Sequence, residues 1–258
     1  MNQADPNLIL ITLLVEMGVA GSFAAILARG ATFKKLLLNP HRNPQQTLGL
    51  LGMICVPLTL GVWFRLIVPN FLAADISFET TILLGILVGP IAAMAGGIVL
   101  AIPALLHHEY LALPVNLAVA GISGMYGRFA TAEDVWSFSP MIDLSIYRWV
   151  TRNLRRPQLD RQILLLVLIA AMQFGTSMLA RFYPRYFFEL NSDIWWVELA
   201  ICATAPIVVG IPLKIWNAIR IQQKLEEQGK LLLEARLDAL QRPLCAVGPP
   251  GGPGPDGL

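Results

Sequence analysis

Apolar runs long enough to cross a lipid bilayer recur along the chain, and they constrain its fold more than any other feature. A transmembrane α-helix needs about 20 predominantly apolar residues. Such runs occupy Leu8–Ala28, Thr47–Val68, Thr80–Leu106, Leu113–Phe129, Gln162–Ala180 and Ile194–Ile215. Only 14% of the 258 residues are charged, compared with about 25% in soluble domains. The sequence therefore predicts an all-α, polytopic transmembrane helical bundle.

The positions of lysine and arginine predict the orientation of this bundle. Basic residues concentrate in the loop at 29–46, in the stretch at 148–161 and after Lys214. Short cytoplasmic loops carry an excess of lysine and arginine, so we expect all three regions on the cytoplasmic side. The chain is then a multi-pass protein of the plasma (inner) membrane, with its N-terminus outside and its C-terminus in the cytoplasm.

The number of passes depends on the run at Thr80–Leu106. A single crossing there would put the two basic loops on opposite sides of the membrane. A hairpin would put them on the same side, and Gly89-Pro90 and Gly96-Gly97 are residues at which a helix breaks easily. About 27 residues are too few for two full crossings at ~1.5 Å per residue, so the hairpin must be short, tilted or shielded. We expect five passes followed by two more, or about six to seven.

The segment "GILVGPIAAMAGGIV" and two intramembrane polar residues supply the candidate ligand site. Small residues at four-residue spacing allow helices to pack closely, whereas broken helices in a membrane can line a ligand cavity. Intramembrane polar side chains are expensive and are often functional, although an arginine near a helix end can also snorkel to the interface. The candidate cavity residues are Arg65, Gly89, Pro90, Gly96, Gly97 and Asn116.

No catalytic or metal-binding pattern stands out in the sequence. His107 and His108 are adjacent, and neighbouring helical residues point about 100° apart, which disfavours joint chelation. We interpret "HHEY" as a polar corner between helices. The three cysteines are isolated and suit small buried side chains. We expect no catalytic residue, no metal, no cofactor and no nucleic-acid partner for this chain.

The segment after the last apolar run has the pattern of a signalling helix. Apolar and small residues recur near the 3.5-residue spacing of a short parallel coiled coil. The predicted seam is Ile221, Leu225, Gln228, Leu232, Ala235 and Ala239. This pattern favours a homodimer, and the alternative is a single amphipathic helix on the membrane surface. The Gly/Pro-rich residues 242–258 are typical of a disordered tail.

Four motifs resemble the LytS-type sensor histidine kinases, a family with a five-pass LYT receptor region. "ILARGATFKKLLL" is similar to the exit of that family's first span, and "LLGILVGPIAAMAGGIVLAIP" resembles its glycine-rich core helix. "AVAGISGMYGRF" is similar to the following span, and "LLLEARLDALQ" to the segment that leads into the phosphoacceptor motif. The resemblance implies the membrane sensor of a two-component phosphorelay, linked to cell-wall organisation or nutrient sensing. It also implies a small-molecule ligand and a kinase module or response regulator as partner.

The expected organisation combines this resemblance with the two additional spans. The predicted parts are a five-pass receptor region at 1–130, a basic cytoplasmic connector at 131–161, two transmembrane helices at 162–216, a signalling helix at 217–241 and the tail at 242–258. The family continues from "ALQ" into an Asn-Pro-His-Phe box, but Arg242-Pro243-Leu244 stand there instead. We therefore expect no kinase activity from this chain alone. A small-solute transporter subunit and a membrane scaffold are the alternatives.

Overall fold

The computed structural model describes residues 6–39, 42–68, 75–138, 161–187, 190 and 192–246, and it is helical in these ranges with no strand. The helices are α1 Pro6–Arg29, α2 Ala31–Leu38, α3 Pro44–Ile67, α4 Ser77–Leu87, α5 Pro90–Leu106, α6 Ala112–Phe129, α7 Ala132–Trp136, α8 Arg161–Phe182 and α9 Trp195–Ala246. In α1, α3, α8 and the Trp195–Glu234 part of α9 the chain is long and apolar enough to cross a membrane. This confirms the prediction of an all-helical chain with candidate membrane spans.

The apolar run at Thr80–Leu106 forms two helices, α4 and α5, rather than one. The break lies at Val88-Gly89, where Gly89 has a φ of 115°. That backbone conformation is open to glycine and strained for other residues. Pro90 then occupies the first turn of α5, where its missing N–H costs no hydrogen bond. The sequence Gly-Pro therefore ends one helix and starts the next.

One end of the helical bundle is marked by Arg65, and we call it the Arg65 end. Arg65 is in the last turn of α3 and pairs with Asp75, which precedes α4. It also pairs with Glu109, which lies between α5 and α6. The backbone N–H of Leu111, at the start of α6, donates to the carbonyl of Tyr186, which follows α8, at 3.1 Å.

The opposite end is marked by Arg42, and we call it the Arg42 end. Arg42 precedes α3 and donates to the carbonyl of Leu87, the last residue of α4, at 3.4 Å. The hydroxyl of Tyr126, near the end of α6, donates to the carbonyl of Arg161, the first residue of α8, at 2.8 Å. Helices α3, α4, α6 and α8 therefore each run between the two ends, and α4 runs antiparallel to α3.

Glycines let α4, α5 and α6 approach one another closely. A Cβ added at Gly85 of α4 would lie 2.8 Å from the backbone nitrogen of Gly124 in α6. A Cβ added at Gly124 would lie 2.4 Å from Cα of Pro90 in α5. Ordinary carbon contacts are about 3.5–4 Å, so no larger residue fits at either position. The packing interpretation of "GILVGPIAAMAGGIV" is confirmed at Gly85 and Gly96, where an added Cβ would clash.

The predicted basic loop at 29–46 contains a helix that the sequence analysis did not anticipate. This helix, α2, buries Phe33 and Leu37, whereas Lys34 is half-buried and Lys35 is exposed. Asn43 then caps α3, and its backbone N–H donates to the Gln46 side chain at 3.2 Å. Such a capping box satisfies amide groups that the first helical turn leaves without partners.

The chain divides into two compact units, residues 1–217 and 218–258, and the boundary between them falls within α9. In the second unit the predicted seam residues Ile221, Leu225 and Leu232 are exposed. The helix extends to Ala246, beyond the predicted boundary at Gln241. The side chains of Ala235 and Ala239, the 139–160 part of the basic connector and the 247–258 part of the tail lie outside the described residues.

Candidate functional site

The candidate site is built around Arg65, whose guanidinium lies between two carboxylates. Its Nη1 is 2.9 Å from Oδ2 of Asp75, and its Nη2 is 2.7 Å from Oε2 of Glu109. The side chains of Arg65, Asp75 and Glu109 are only 9%, 13% and 15% exposed. Arginine suits such an arrangement because its planar, permanently charged group can bond two carboxylates at once.

A helix-terminating motif places Glu109 opposite Arg65. The backbone N–H of His108 donates to Leu105 at 3.1 Å, and that of Glu109 donates to Ala104 at 2.9 Å. These two bonds form a Schellman motif, which normally has glycine at its left-handed position. His108 occupies that position here with a φ of 69°. The motif reverses the chain after α5 and directs Glu109 to the end of α3.

Burial raises the pKa of Glu109, which lies in the corner between α5 and α6. The positive charge of Arg65 and its hydrogen bond act in the opposite direction but do not cancel the effect of burial. Desolvation disfavours the ionised form of a carboxyl group. The charge of Glu109 therefore depends on its solvent access and on the position of Arg65.

A polar cavity of about 40 Å³ lies beside Arg65. Its polar lining residues are Glu16 from α1, Arg65 from α3, Asp75, Ser77 and Glu79 from the start of α4, Gln173 from α8 and Thr204 from α9. Glu16, Glu79 and Gln173 are 8%, 5% and 3% exposed. A cavity needs only about 10–15 Å³ by this measure to hold a water molecule. This one accommodates a few waters or one small polar group, surrounded by five helices.

The six residues predicted to form a ligand cavity lie in three places. Arg65 and Asn116 line a second small cavity, of about 30 Å³. The Asn116 side chain donates to the carbonyl of Gly97 at 3.5 Å, and Gly96 packs against Leu84, so these residues join helices. Gly89 and Pro90 line a groove at the Arg42 end instead. The structure therefore brings Arg65 and Asn116 to one cavity and places Gly97 against Asn116, whereas Gly96 packs against Leu84 and Gly89 and Pro90 lie at the other end.

Several residues of this site were absent from the predicted set. Glu16 and Gln173 are polar residues inside the apolar runs of α1 and α8, and that property alone could have identified them. Asp75 and Glu79 lie at the boundary between a loop and an apolar run, where acidic residues are ordinary. Glu109 was interpreted as part of a polar corner. Its role depends on Arg65, which precedes it by 44 residues.

A second arginine organises the Arg42 end. Arg42 Nε donates to the carbonyl of Leu36 at 2.9 Å, and its guanidinium also bonds the carbonyls of Leu37 and Leu87. These carbonyls belong to the C-terminal turns of α2 and α4, where positive charge is favourable. Burial lowers the pKa of Arg42, yet arginine stays charged in proteins. One side chain therefore links the ends of α2 and α4.

Helix α2 in turn contacts α9. The rings of Phe33 and Trp216 are 5.3 Å apart between centroids. The indole N–H of Trp216 donates to the carbonyl of Ala24 in α1 at 3.2 Å. Both aromatic side chains are buried. The last turn of α9 within the first compact unit is thus packed against α1 and α2.

Among the described residues there is no group of three or more His, Cys, Asp or Glu side chains arranged to hold a metal ion. Comparisons of the chain with protein-family models, with curated proteins and with solved structures find no match.

Proposed function

We propose that the chain is the membrane sensor portion of a LytS-type two-component signalling protein. In this proposal a small molecule or a change of protonation alters the polar site around Arg65, and α9 carries the change to a kinase module or response regulator. The observation that carries the proposal is the buried Arg65 site itself. Charged groups within apolar helices are expensive, and they are usually retained for a function.

The proposal includes seven passes, with α4 and α5 forming a membrane hairpin. The contacts at the two ends support this arrangement, because α2 and the start of α8 both lie at the Arg42 end. The same end then contains the basic residues of 29–46 and Arg161, which suits a cytoplasmic position. Helix α4 has 11 residues and is about 16 Å long, so it cannot cross the hydrocarbon core alone. Its burial among the other helices compensates for that length.

Helix α4 supplies a physical connection between the two ends. Glu79, in its first turn, lines the polar cavity, and Leu87, its last residue, accepts a hydrogen bond from Arg42. Every residue from Phe78 to Ile86 is buried. Helix α4 therefore cannot move without moving the side chains packed around it. Arg42 passes such a displacement to α2, and Phe33 passes it to Trp216 of α9. Packed elements of this kind change between discrete arrangements rather than deform smoothly.

The output in this proposal is a homodimer formed by the second unit of α9. Ile221, Leu225 and Leu232 are 51%, 63% and 67% exposed, and coiled-coil pairing would cover them. The test uses a chain whose three native cysteines are replaced by alanine. A single Leu225→Cys substitution in membranes should then form a disulfide between two copies.

The coupling is tested by adding Arg65→Gln to this Leu225→Cys chain. The rate of disulfide formation should change, because the perturbed site shifts α4 and then α9. Arg181→Gln is the matched control: Arg181 is at the same end, but its ion pair with Asp193 is half exposed. An absence of any cross-link would refute the dimer. Equal rates in both variants and the parent would refute coupling between the Arg65 site and α9.

A small-solute transporter is the second candidate, because polar cavities among broken helices are also typical of transporters. Uptake of labelled acetate or alanine into proteoliposomes containing the full chain would favour that candidate. The proposed orientation is tested separately by thiol labelling of Lys34→Cys and Lys224→Cys. Both positions should react from the cytoplasmic side, and reaction from opposite sides would overturn the seven-pass arrangement.

A further inference from the structure

A groove of about 660 Å³ lies at the Arg42 end and is distinct from the polar cavity beside Arg65. It lies between the first turns of α3, the α4–α5 break and the end of α6. Its apolar walls include Leu48 and Leu51 of α3, Ile91 and Ala95 of α5 and the backbone at Gly127 of α6. The groove is open rather than enclosed.

The charged residues that line this groove are both basic. They are Arg42 and Arg128, and no acidic residue is among its lining residues. Arg42 is bonded to the carbonyls of α2 and α4, whereas Arg128 is exposed in the last turn of α6. Helix α5 starts in the groove at Pro90, and the first turn of a helix carries partial positive charge. The groove therefore combines a positive rim with an apolar wall.

We propose that this groove binds an anionic phospholipid, with its phosphate at Arg128 and the start of α5. The acyl chains would lie along Ile91 and Leu48, which are 79% and 71% exposed. A soluble anion would leave these two side chains uncovered, whereas a lipid covers them and satisfies the positive rim together. Basic pockets between transmembrane helices on the cytoplasmic side are suited to acidic head groups. This inference depends on the membrane location but not on the sensor function.

The test compares phosphatidylglycerol with phosphatidylcholine on the purified full chain in a neutral detergent. Native mass spectrometry measures the retained lipid, and a thermal melt measures the accompanying stabilisation. We expect phosphatidylglycerol to bind and raise the melting temperature, and phosphatidylcholine to do neither. Arg128→Gln should weaken phosphatidylglycerol binding about five-fold, the factor that one basic residue near an anionic surface contributes.

Arg29→Gln is the matched control, because Arg29 is exposed at the end of α1 and does not line the groove. It removes the same charge and should leave lipid binding unchanged. Ala95→Trp, which places a large ring in the groove from an exposed position, should abolish binding and keep all charges.

Three results would overturn the proposal. Equal weakening by Arg128→Gln and Arg29→Gln would show that charge attracts the lipid without a defined site. Equal stabilisation by the two lipids would show that the head group is not recognised. Equal stabilisation by inorganic phosphate alone would identify a soluble anion as the occupant.

Discussion

Replacing Gly124 with alanine tests how closely α5 and α6 pack. The new Cβ would lie 2.4 Å from Cα, 2.5 Å from Cβ and 2.8 Å from the nitrogen of Pro90. These atoms belong to the backbone and to a ring fixed to it, so rotation of a side chain cannot relieve the clash. The helices must separate by ~1 Å to restore ordinary carbon contacts.

The expected destabilisation follows from two opposing effects. Overpacking a well-packed interior costs about 1–3 kcal/mol. Replacing glycine by alanine in an unobstructed helix is instead stabilising by about 0.4–1 kcal/mol. Gly175 of α8 provides the control for the second effect, because its Cβ would meet nothing within 4 Å. Gly97→Ala should be intermediate, because its Cβ would lie 3.4 Å from Asn116.

The measurement is equilibrium unfolding in mixed micelles, with circular dichroism reporting the loss of helix as the fraction of denaturing detergent rises. We expect the free energies of unfolding to rank Gly124→Ala lowest, Gly97→Ala intermediate and Gly175→Ala highest, with wild type above Gly124→Ala and below Gly175→Ala. If Gly124→Ala matched Gly175→Ala, α5 and α6 would not be in contact at Pro90, and the packing described for the hairpin would be wrong.

Three further predictions use the same unfolding measurement. Arg65→Gln should destabilise the chain by about 3–5 kcal/mol, because it leaves two buried carboxylates without their cation. Adding Glu109→Gln should recover part of that loss, and no recovery would contradict the ion pair between Arg65 and Glu109. Burial raises the pKa of Glu109 above 4.5, so the stabilising contribution of Glu109 is complete below pH 4.5 and is lost as the pH rises through the raised pKa. Glu109→Gln should make the free energy of unfolding depend less on pH, and an unchanged pH profile would contradict the raised pKa. Trp216→Phe should cost about 1 kcal/mol through the lost hydrogen bond to Ala24, and an unaltered free energy would exclude that bond.

Much of the fold was predictable, because helices long and apolar enough to cross a bilayer stand out in the sequence as continuous apolar runs. The apolar runs placed α1, α3, α6 and α8 to within about three residues of their observed bounds. Gly89-Pro90 marks the break between α4 and α5, whereas the break also predicted at Gly96-Gly97 was wrong, because both glycines lie inside α5 and are buried there. These features depend on local sequence and can therefore be found without knowledge of neighbouring helices.

The Arg65 site was predictable only in part, because it depends on which helix ends meet. Arg65 was identifiable as a charge within an apolar run, but its partners Asp75 and Glu109 are in loops where acidic residues are ordinary. Helix α2 was missed for a related reason. Its eight residues are too few to form a stable helix alone, and its burial of Phe33 depends on Trp216, far along the chain.

The short length of α4 explains why each end of the bundle contains an inward-reaching arginine. A helix of 11 residues is about 16 Å long, much shorter than the 24-residue α3, so side chains from neighbouring segments must reach its ends. Arginine has the longest basic side chain and keeps its charge when buried, so it can reach those ends from α3. Arg42 does so at the carbonyl of Leu87, and Arg65 does so at Asp75. The two arginines are separated by nearly the whole length of α3, yet both act on α4. Any ligand or lipid that competes for either guanidinium therefore acts on the same buried helix.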